Sequence, residues 1–231
     1  MVSVSVVVPV YNEERTIVTI LERVKAVSVP GVTFEVIVVD DGSKDRTREI
    51  LDSRPDLYSQ FIKHARNRGK GGAVKTALAA ATGDFVLFQD ADLEYDPAEY
   101  PKLLKPVLQF DADVVMGSRF VAPELTRVFY FWHRVGNSLI SLIFNILNNT
   151  PVTDTDSCYL LYRRSRVDGN DLRSEGWEQH AEILSLAVKK GKSLYEVPIS
   201  YHGRSYDDGK KIKAYHAVGV ILMMARCALF R

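Results

Sequence analysis

Two apolar runs in this chain end in carboxylates. Phe34-Glu35-Val36-Ile37-Val38-Val39 leads straight into Asp40-Asp41-Gly42-Ser43, and Asp84-Phe85-Val86-Leu87-Phe88-Gln89 into Asp90-Ala91-Asp92. A strand that is apolar nearly throughout is buried on both faces, as in a parallel sheet covered by helices. Carboxylates just past its C-terminal end sit at the sheet edge where open α/β folds bind ligands. About 50 residues of largely helical sequence separate the two clusters, which points to one crevice for a nucleotide and a divalent metal.

The rest of the first half supports that reading. Val2 to Val10 reads as a strand, stopped by Pro9 and Asn12. Glu13 to Val27 carries Ile17, Ile20, Leu21 and Val24 at helical spacing. Asp45 to Ser53 reads as a helix capped by Ser43 or Asp45. Tyr58 to His64 reads as a short strand, Gly71 to Thr82 as a helix closed by Gly83, and Phe85 to Gln89 as a strand. Pro97 to Gln109 is a helix limited or kinked by Pro101 and Pro106, and Asp113 to Gly117 is a fifth strand. Alternating β and α units over about 120 residues imply a right-handed α/β fold with a mixed, mainly parallel sheet flanked by helices.

The second half differs. Val128 to Asn149 is long, aromatic and apolar; Ser157 to Arg163 and Ser193 to Tyr201 read as strands around a helix at Glu178 to Lys190. A basic loop, Tyr201 to Lys213, leads to a terminal amphipathic helix, Ala214 to Arg231. With no repeat or linker, residues 1–231 read as one domain, in which 1–120 and 121–231 form two halves of different character. A net charge of +1 argues against bulk nucleic-acid binding. Two cysteines, Cys158 and Cys227, make no disulfide framework and fit a reducing cytosol. Neither a signal peptide nor an apolar run long enough to span a bilayer is expected.

Several constellations carry chemistry. Asp90 and Asp92 place two carboxylates two apart with no adjacent base, and Glu94 can add a third oxygen for a hard cation. Asn67-Arg68-Gly69-Lys70-Gly71-Gly72-Ala73 is a glycine-rich, basic loop opening a helix, where backbone N–H groups favour anions. Its spacing is not that of a Walker A loop. Arg119, Arg127, Arg134 and Arg204 are candidates for phosphate, since planar guanidinium groups match its oxygens. His180 and Glu182 open a helix and are candidates for an acceptor contact, although such residues more often pack in a core or lie on a surface.

In order, these segments resemble the family 2 glycosyltransferases of GT-A fold, and within them the dolichyl- or polyprenyl-phosphate mannose and glucose synthases. The matching stretches are Val8-Pro9-Val10-Tyr11-Asn12-Glu13-Glu14, Val39 to Ser43, Asn67 to Gly71 and Gln89 to Glu94. Gly117 to Phe120, His133 to Asn137, Thr153-Asp154 and Val197 to Tyr201 continue the likeness over roughly residues 4–213. Relatives read T-D-x-x-[TS]-G-[YF] where this chain has Cys158 for Gly, and F-E-P-E-[IL] where it has Trp177 to Ile183; many also carry C-terminal membrane helices.

The resemblance implies inverting transfer of a hexose from a nucleotide-diphospho-sugar of GDP-mannose or UDP-glucose type. It makes 1–120 the nucleotide-sugar-binding half and 121–231 the acceptor half. It places Pro9, Tyr11, Glu13, Asp41, Lys70 and Asp90 on the donor, and Asp90, Asp92 and Glu94 on Mg²⁺ or Mn²⁺. Asp92 then acts in catalysis through the metal, and Arg119, Arg134 and Arg204 would position phosphates of a polyprenyl-phosphate acceptor. A hydroxyl acceptor, soluble or polysaccharide, would need a carboxylate base, for which Asp154 or Asp156 stands. A catalytically silent nucleotide-sugar-binding protein is the remaining alternative. Val128 to Asn149 and Ala214 to Phe230 suit an interfacial position, giving a cytoplasmic protein peripheral to the membrane.

Overall fold

Val2–Val10 forms strand β1, and Val4, Val6, Val7 and Val8 within it are wholly buried. Successive side chains of a strand face opposite sides, so burial at consecutive positions means both faces are covered. The structure, a computed structural model, describes residues 1–121, 130–203 and 216–230. After β1 come α1 (Ile17–Ala26), β2 (Val32–Asp40), α2 (Thr47–Ser53), β3 (Gln60–Lys63), α3 (Gly69–Ala80) and β4 (Phe85–Phe88). Then follow α4 (Tyr100–Phe110), β5 (Val114–Ser118), α5 (Phe131–Asn148), β6 (Leu160–Arg163), α6 (Gln179–Lys190), β7 (Leu194–Pro198) and α7 (His216–Phe230).

The strands make one seven-stranded sheet in the order β3-β2-β1-β4-β6-β5-β7. All pairs are parallel except those of β6, which runs antiparallel to both β4 and β5. The mixed, mainly parallel α/β sheet expected from the sequence is therefore present. Register aligns Val10 with Asp40 and Val7 with Phe88, so β1, β2 and β4 deliver their C-terminal residues to one edge. Since β4 and β5 are both antiparallel to β6, they run in the same direction and end on that same side. With β6 between them, their ends lie two strand spacings apart, about 10 Å.

Several boundaries moved, for local reasons. The first helix starts at Ile17 rather than Glu13, because Glu13 to Thr16 form a turn in which Ile17 N–H bonds the Glu13 carbonyl at 3.0 Å. The second starts at Thr47, and Ser43 does not cap it: the Ser43 hydroxyl accepts from Asn12 N–H at 3.0 Å, while the Asp45 carboxylate accepts from Thr47 N–H. The third helix ends at Ala80, before Gly83. Gly83 instead packs on β1, where a Cβ would lie 2.7 Å from Ser5 N.

Candidate active site

The loops leaving β1 and β2 are stitched together. Asn12 takes φ +53 and its side-chain oxygen accepts from Lys44 N–H at 2.8 Å; Glu13 N–H donates to Thr47 Oγ1 at 2.9 Å. Asp40 is wholly buried and braced by Arg48 Nε at 2.7 Å and Ser43 N–H at 3.1 Å. Asp41, also buried, faces His64 Nδ1 at 2.7 Å and accepts from Arg68 N–H at 2.9 Å; His64 Nε2 meets Thr76 Oγ1 at 2.9 Å. The carboxylate thus anchors the loop between β3 and α3, which carries Lys70. Pro9, Tyr11 and Glu13 lie at this same edge, half-buried.

The glycines of that loop serve a different end from the one expected. Gly71 N–H and Gly72 N–H both donate to the Glu175 carbonyl, at 2.9 and 3.3 Å. A Cβ on Gly71 would lie 2.6 Å from the Glu175 carbonyl carbon. It is the protein's own backbone that approaches so closely, and these two N–H groups are satisfied within the chain rather than held for an anion. Glu182, wholly buried, holds the approaching segment through Arg173 N–H and Ser174 N–H at 3.0 and 2.9 Å.

From the first turn of α3 Lys70 reaches Asp90, with Nζ 2.6 Å from Oδ1, and lies 5.4 Å from the Trp177 ring centre. Burial opposes the charge on Asp90, but the Lys70 ammonium outweighs it and holds the carboxyl below its ordinary range; Lys70 is raised in turn by Asp90 against its own burial. The turn beyond β4 is fixed by Gln89. Its Oε1 accepts from Tyr100 and Tyr159 hydroxyls at 2.8 and 3.0 Å, and its Nε2 donates to the Asp90 carbonyl at 3.0 Å. Asp92 Oδ1 accepts from Glu94 N–H at 3.0 Å, and Glu94 Oε2 accepts from the Tyr201 hydroxyl at 2.7 Å.

Among the described residues no three His, Cys, Asp or Glu side chains form a ready metal cage. The donor set nevertheless fits a hard cation. It is all oxygen, and Mg²⁺ or Mn²⁺ bound beside a diphosphate needs only one or two carboxylates. The ammonium drawn onto Asp90 shows that positive charge is stabilised there.

The other charged pair lies at the end of β5. Arg119 grips Asp154 with both prongs, Nε and Nη2 each at 2.7 Å, and adds its backbone N–H at 2.9 Å. Asp154 is wholly buried, and Glu196 on β7 fixes its loop by accepting from Thr153 N–H and Asp154 N–H. The Tyr201 ring lies 5.1 Å from the Arg119 guanidinium, so one tyrosine links Glu94 to this pair. Arg134 stacks 3.8 Å over Phe120, next to Arg119. Arg127 and Arg204 lie outside the described residues.

Among the described residues, the buried polar atoms of this half without a hydrogen-bond partner include Asp156 Oδ2, Ser157 Oγ, Gln179 Oε1 and His180 Nε2. Burial, reinforced by Asp154 and opposed by Arg119, pushes Asp156 up to about 6.

The site residues read from the sequence thus gather into two clusters, Lys70 with Asp90, Asp92 and Glu94, and Arg119 with Asp154 and Arg134. Asp41 lies behind the first as an anchor. Arg119 and Asp154, expected to act separately, are partners. Gln89, Tyr201 and Glu196 position these groups without having been singled out as site residues; Gln89 and Tyr201 read as strand-end residues and Glu196 as an ordinary residue within a strand.

A crossover-rich sheet with a carboxylate turn off one strand and a guanidinium off a parallel strand two places away is the architecture of a GT-A glycosyltransferase. The chain belongs to glycosyl transferase family 2, whose model matches residues 5–168. It is 34% identical to the low-salt glycan biosynthesis hexosyltransferase Agl6 of Haloferax volcanii over 87% of this chain, but spans about half (48%) of that protein. It is 29% identical to the UDP-N-acetylglucosamine–dolichyl-phosphate N-acetylglucosaminyltransferase of Methanococcus voltae, over 84% of this chain and 83% of that one. It is 29% identical to the dolichol-phosphate mannosyltransferase of Pyrococcus furiosus, over 92% of this chain and 61% of the relative. Glucosyl-3-phosphoglycerate synthase of Mycobacterium tuberculosis, solved with Mn²⁺, UDP and glucosyl-3-phosphoglycerate, matches with a TM-score of 0.71 at 22% identity, covering all of this chain and 81% of that one. That likeness shows the fold.

Proposed function

We propose that this protein transfers a hexose from a nucleotide-diphospho-sugar to a polyprenyl phosphate at a membrane surface, with inversion. The observation that carries the acceptor class is the Arg119–Asp154 pair. One of the two candidate base carboxylates, Asp154, is gripped by both prongs of a guanidinium, and Arg134 stands beside it. Such a site suits an acceptor that arrives already ionised. A phosphate oxyanion needs positioning by cations rather than deprotonation, whereas a hydroxyl needs a base within hydrogen-bond reach. The relatives that act on dolichyl phosphate point the same way.

Asp90 and Asp92, with Glu94, would hold Mg²⁺ or Mn²⁺, which supplies Lewis-acid stabilisation of charge on the departing nucleoside diphosphate. Lys70 leaves Asp90 for a diphosphate oxygen. Tyr201 keeps Glu94 oriented, and Gln89 holds the Asp90–Asp92 turn rigid, so the carboxylates need little reorganisation. Arg119 and Arg134 orient the acceptor phosphate, as does Arg204.

Helices α5 and α7 pack on each other and leave apolar side chains in solvent, with Trp132 77%, Ile146 73% and Phe230 78% exposed. No described helix is long and apolar enough to cross a membrane, so this face suits the interface plane. Binding to vesicles containing anionic lipid, weakened by salt and by Trp132→Ser, checks that part. Product analysis with nucleotide-sugars, Mn²⁺ and polyprenyl phosphate tests the whole: an acid-labile glycosyl phospholipid is expected. A glycoside on a hydroxyl, stable to mild acid, overturns the acceptor assignment.

A further inference from the structure

His180 stands in the first turn of α6, edge-on to Phe88 of β4 with ring centres 6.1 Å apart. Its Nε2 is shielded from solvent and has no hydrogen-bond partner. A buried polar atom left without a partner is costly, and in a native site it calls for a reason. Its electrostatic neighbours come from both clusters: Lys70 and Asp90 from one, Arg119 and Asp154 from the other. Burial first, then the Lys70 charge, lowers its pKa to about 4, so the ring is neutral at physiological pH and too weakly basic to deprotonate an acceptor.

A neutral imidazole offers one donor and one acceptor, as a sugar hydroxyl does. In any group transfer at this site, the moving hexose lies between the diphosphate it leaves and the acceptor it joins. Those ends correspond to the Lys70–Asp90 and Arg119–Asp154 clusters, and His180 feels both.

We propose that His180 is a specificity-determining residue that hydrogen-bonds a hydroxyl of the transferred hexose. This rests on the glycosyl-transfer reading above. It concerns the sugar alone, not the nucleotide, the metal or the lipid.

The test separates sugar binding from nucleotide binding. With Mn²⁺ present, calorimetry compares UDP with UDP-glucose and UDP-N-acetylglucosamine, and GDP with GDP-mannose. His180→Phe keeps the ring against Phe88 but removes both nitrogens; His180→Gln restores a donor and an acceptor. His180→Phe should bind the nucleoside diphosphate as the wild type does and the nucleotide-hexose roughly 10-fold more weakly. His180→Gln should recover part of that loss. If His180→Phe does not fold, the same comparison is read on His180→Ala. A variant that weakens both ligands equally makes His180 a packing residue, and one that weakens neither removes it from the site; either result overturns the proposal while leaving glycosyl transfer intact. A wild-type protein that binds none of these nucleotide-sugars overturns both readings.

Discussion

The two halves of the crevice treat their polar groups differently. On the side of β1, β2 and β4, Asp40, Asp41, Gln89 and Asp90 all have close protein partners. On the side of β5 and α6, one tightly bound pair, Arg119–Asp154, stands among Asp156, Ser157, Gln179 and His180, each with a buried atom unpartnered. The first arrangement is rigid before any ligand arrives, as suits a fixed platform for a diphosphate and cation. The second leaves hydrogen-bonding capacity unused within the protein.

The sharpest way to break this contrast is Asp92→Asn on the rigid side. It should lower turnover by roughly 10³-fold or more, by removing a charged ligand, while the melting temperature hardly moves. Near-normal, still metal-dependent turnover would remove the platform from the argument. Asp154→Ala on the other side should act mainly on the fold. It strands the Arg119 guanidinium in a buried site, a loss of about 3–5 kcal/mol readable as a lower urea midpoint. If stability holds and only activity falls, the pair is not a brace.

Asp156→Asn should have the opposite sign. The pKa of this carboxyl is raised from 3.8 to about 6 in the folded protein, so its favourable contribution is complete below pH 4 and is lost as pH climbs to 6. At neutral pH the charged group then costs on the order of 3 kcal/mol. The variant should be more stable than wild type at pH 7, with the advantage vanishing near pH 4 in thermal melts. A variant that is less stable at pH 7 would show that Asp156 is satisfied after all. The smallest effect belongs to Gly136 within α5, where a Cβ would meet nothing within 4 Å. Gly136→Ala should add about 0.5–1 kcal/mol. A loss instead would mean that the helix face there is already covered.

The first half of the fold was legible because it is written in local patterns. The valine run of β1, the Asp90-Ala91-Asp92 turn and the helical spacing of Ile17, Ile20, Leu21 and Val24 each announce themselves within a dozen residues. What escaped depends on chain segments far apart. Nothing within Leu160–Arg163 says that four residues will wedge between β4 and β5. Arg119 and Asp154 lie 35 residues apart, and each alone carries the marks of an independent functional group. Gly71 reads as a ligand-binding glycine until Glu175, about 100 residues later, is found against it. Partner choice between charged groups is decided by tertiary geometry, and one-dimensional spacing does not encode it.

The antiparallel wedge also governs the order in which the molecule can be assembled. Among the described residues β5 pairs with β6 and β7 alone, so residues 114–118 have no sheet neighbour there until residues 160–163 and 194–198 are made. During synthesis β1 to β4 can close as a unit, while the wholly apolar Val114-Val115-Met116 segment waits with both edges open. A strand exposed in this way is a template for unwanted pairing, and the interval grows with every residue that separates it from its partners. Truncation before residue 160 should therefore give an aggregating product rather than a smaller working domain.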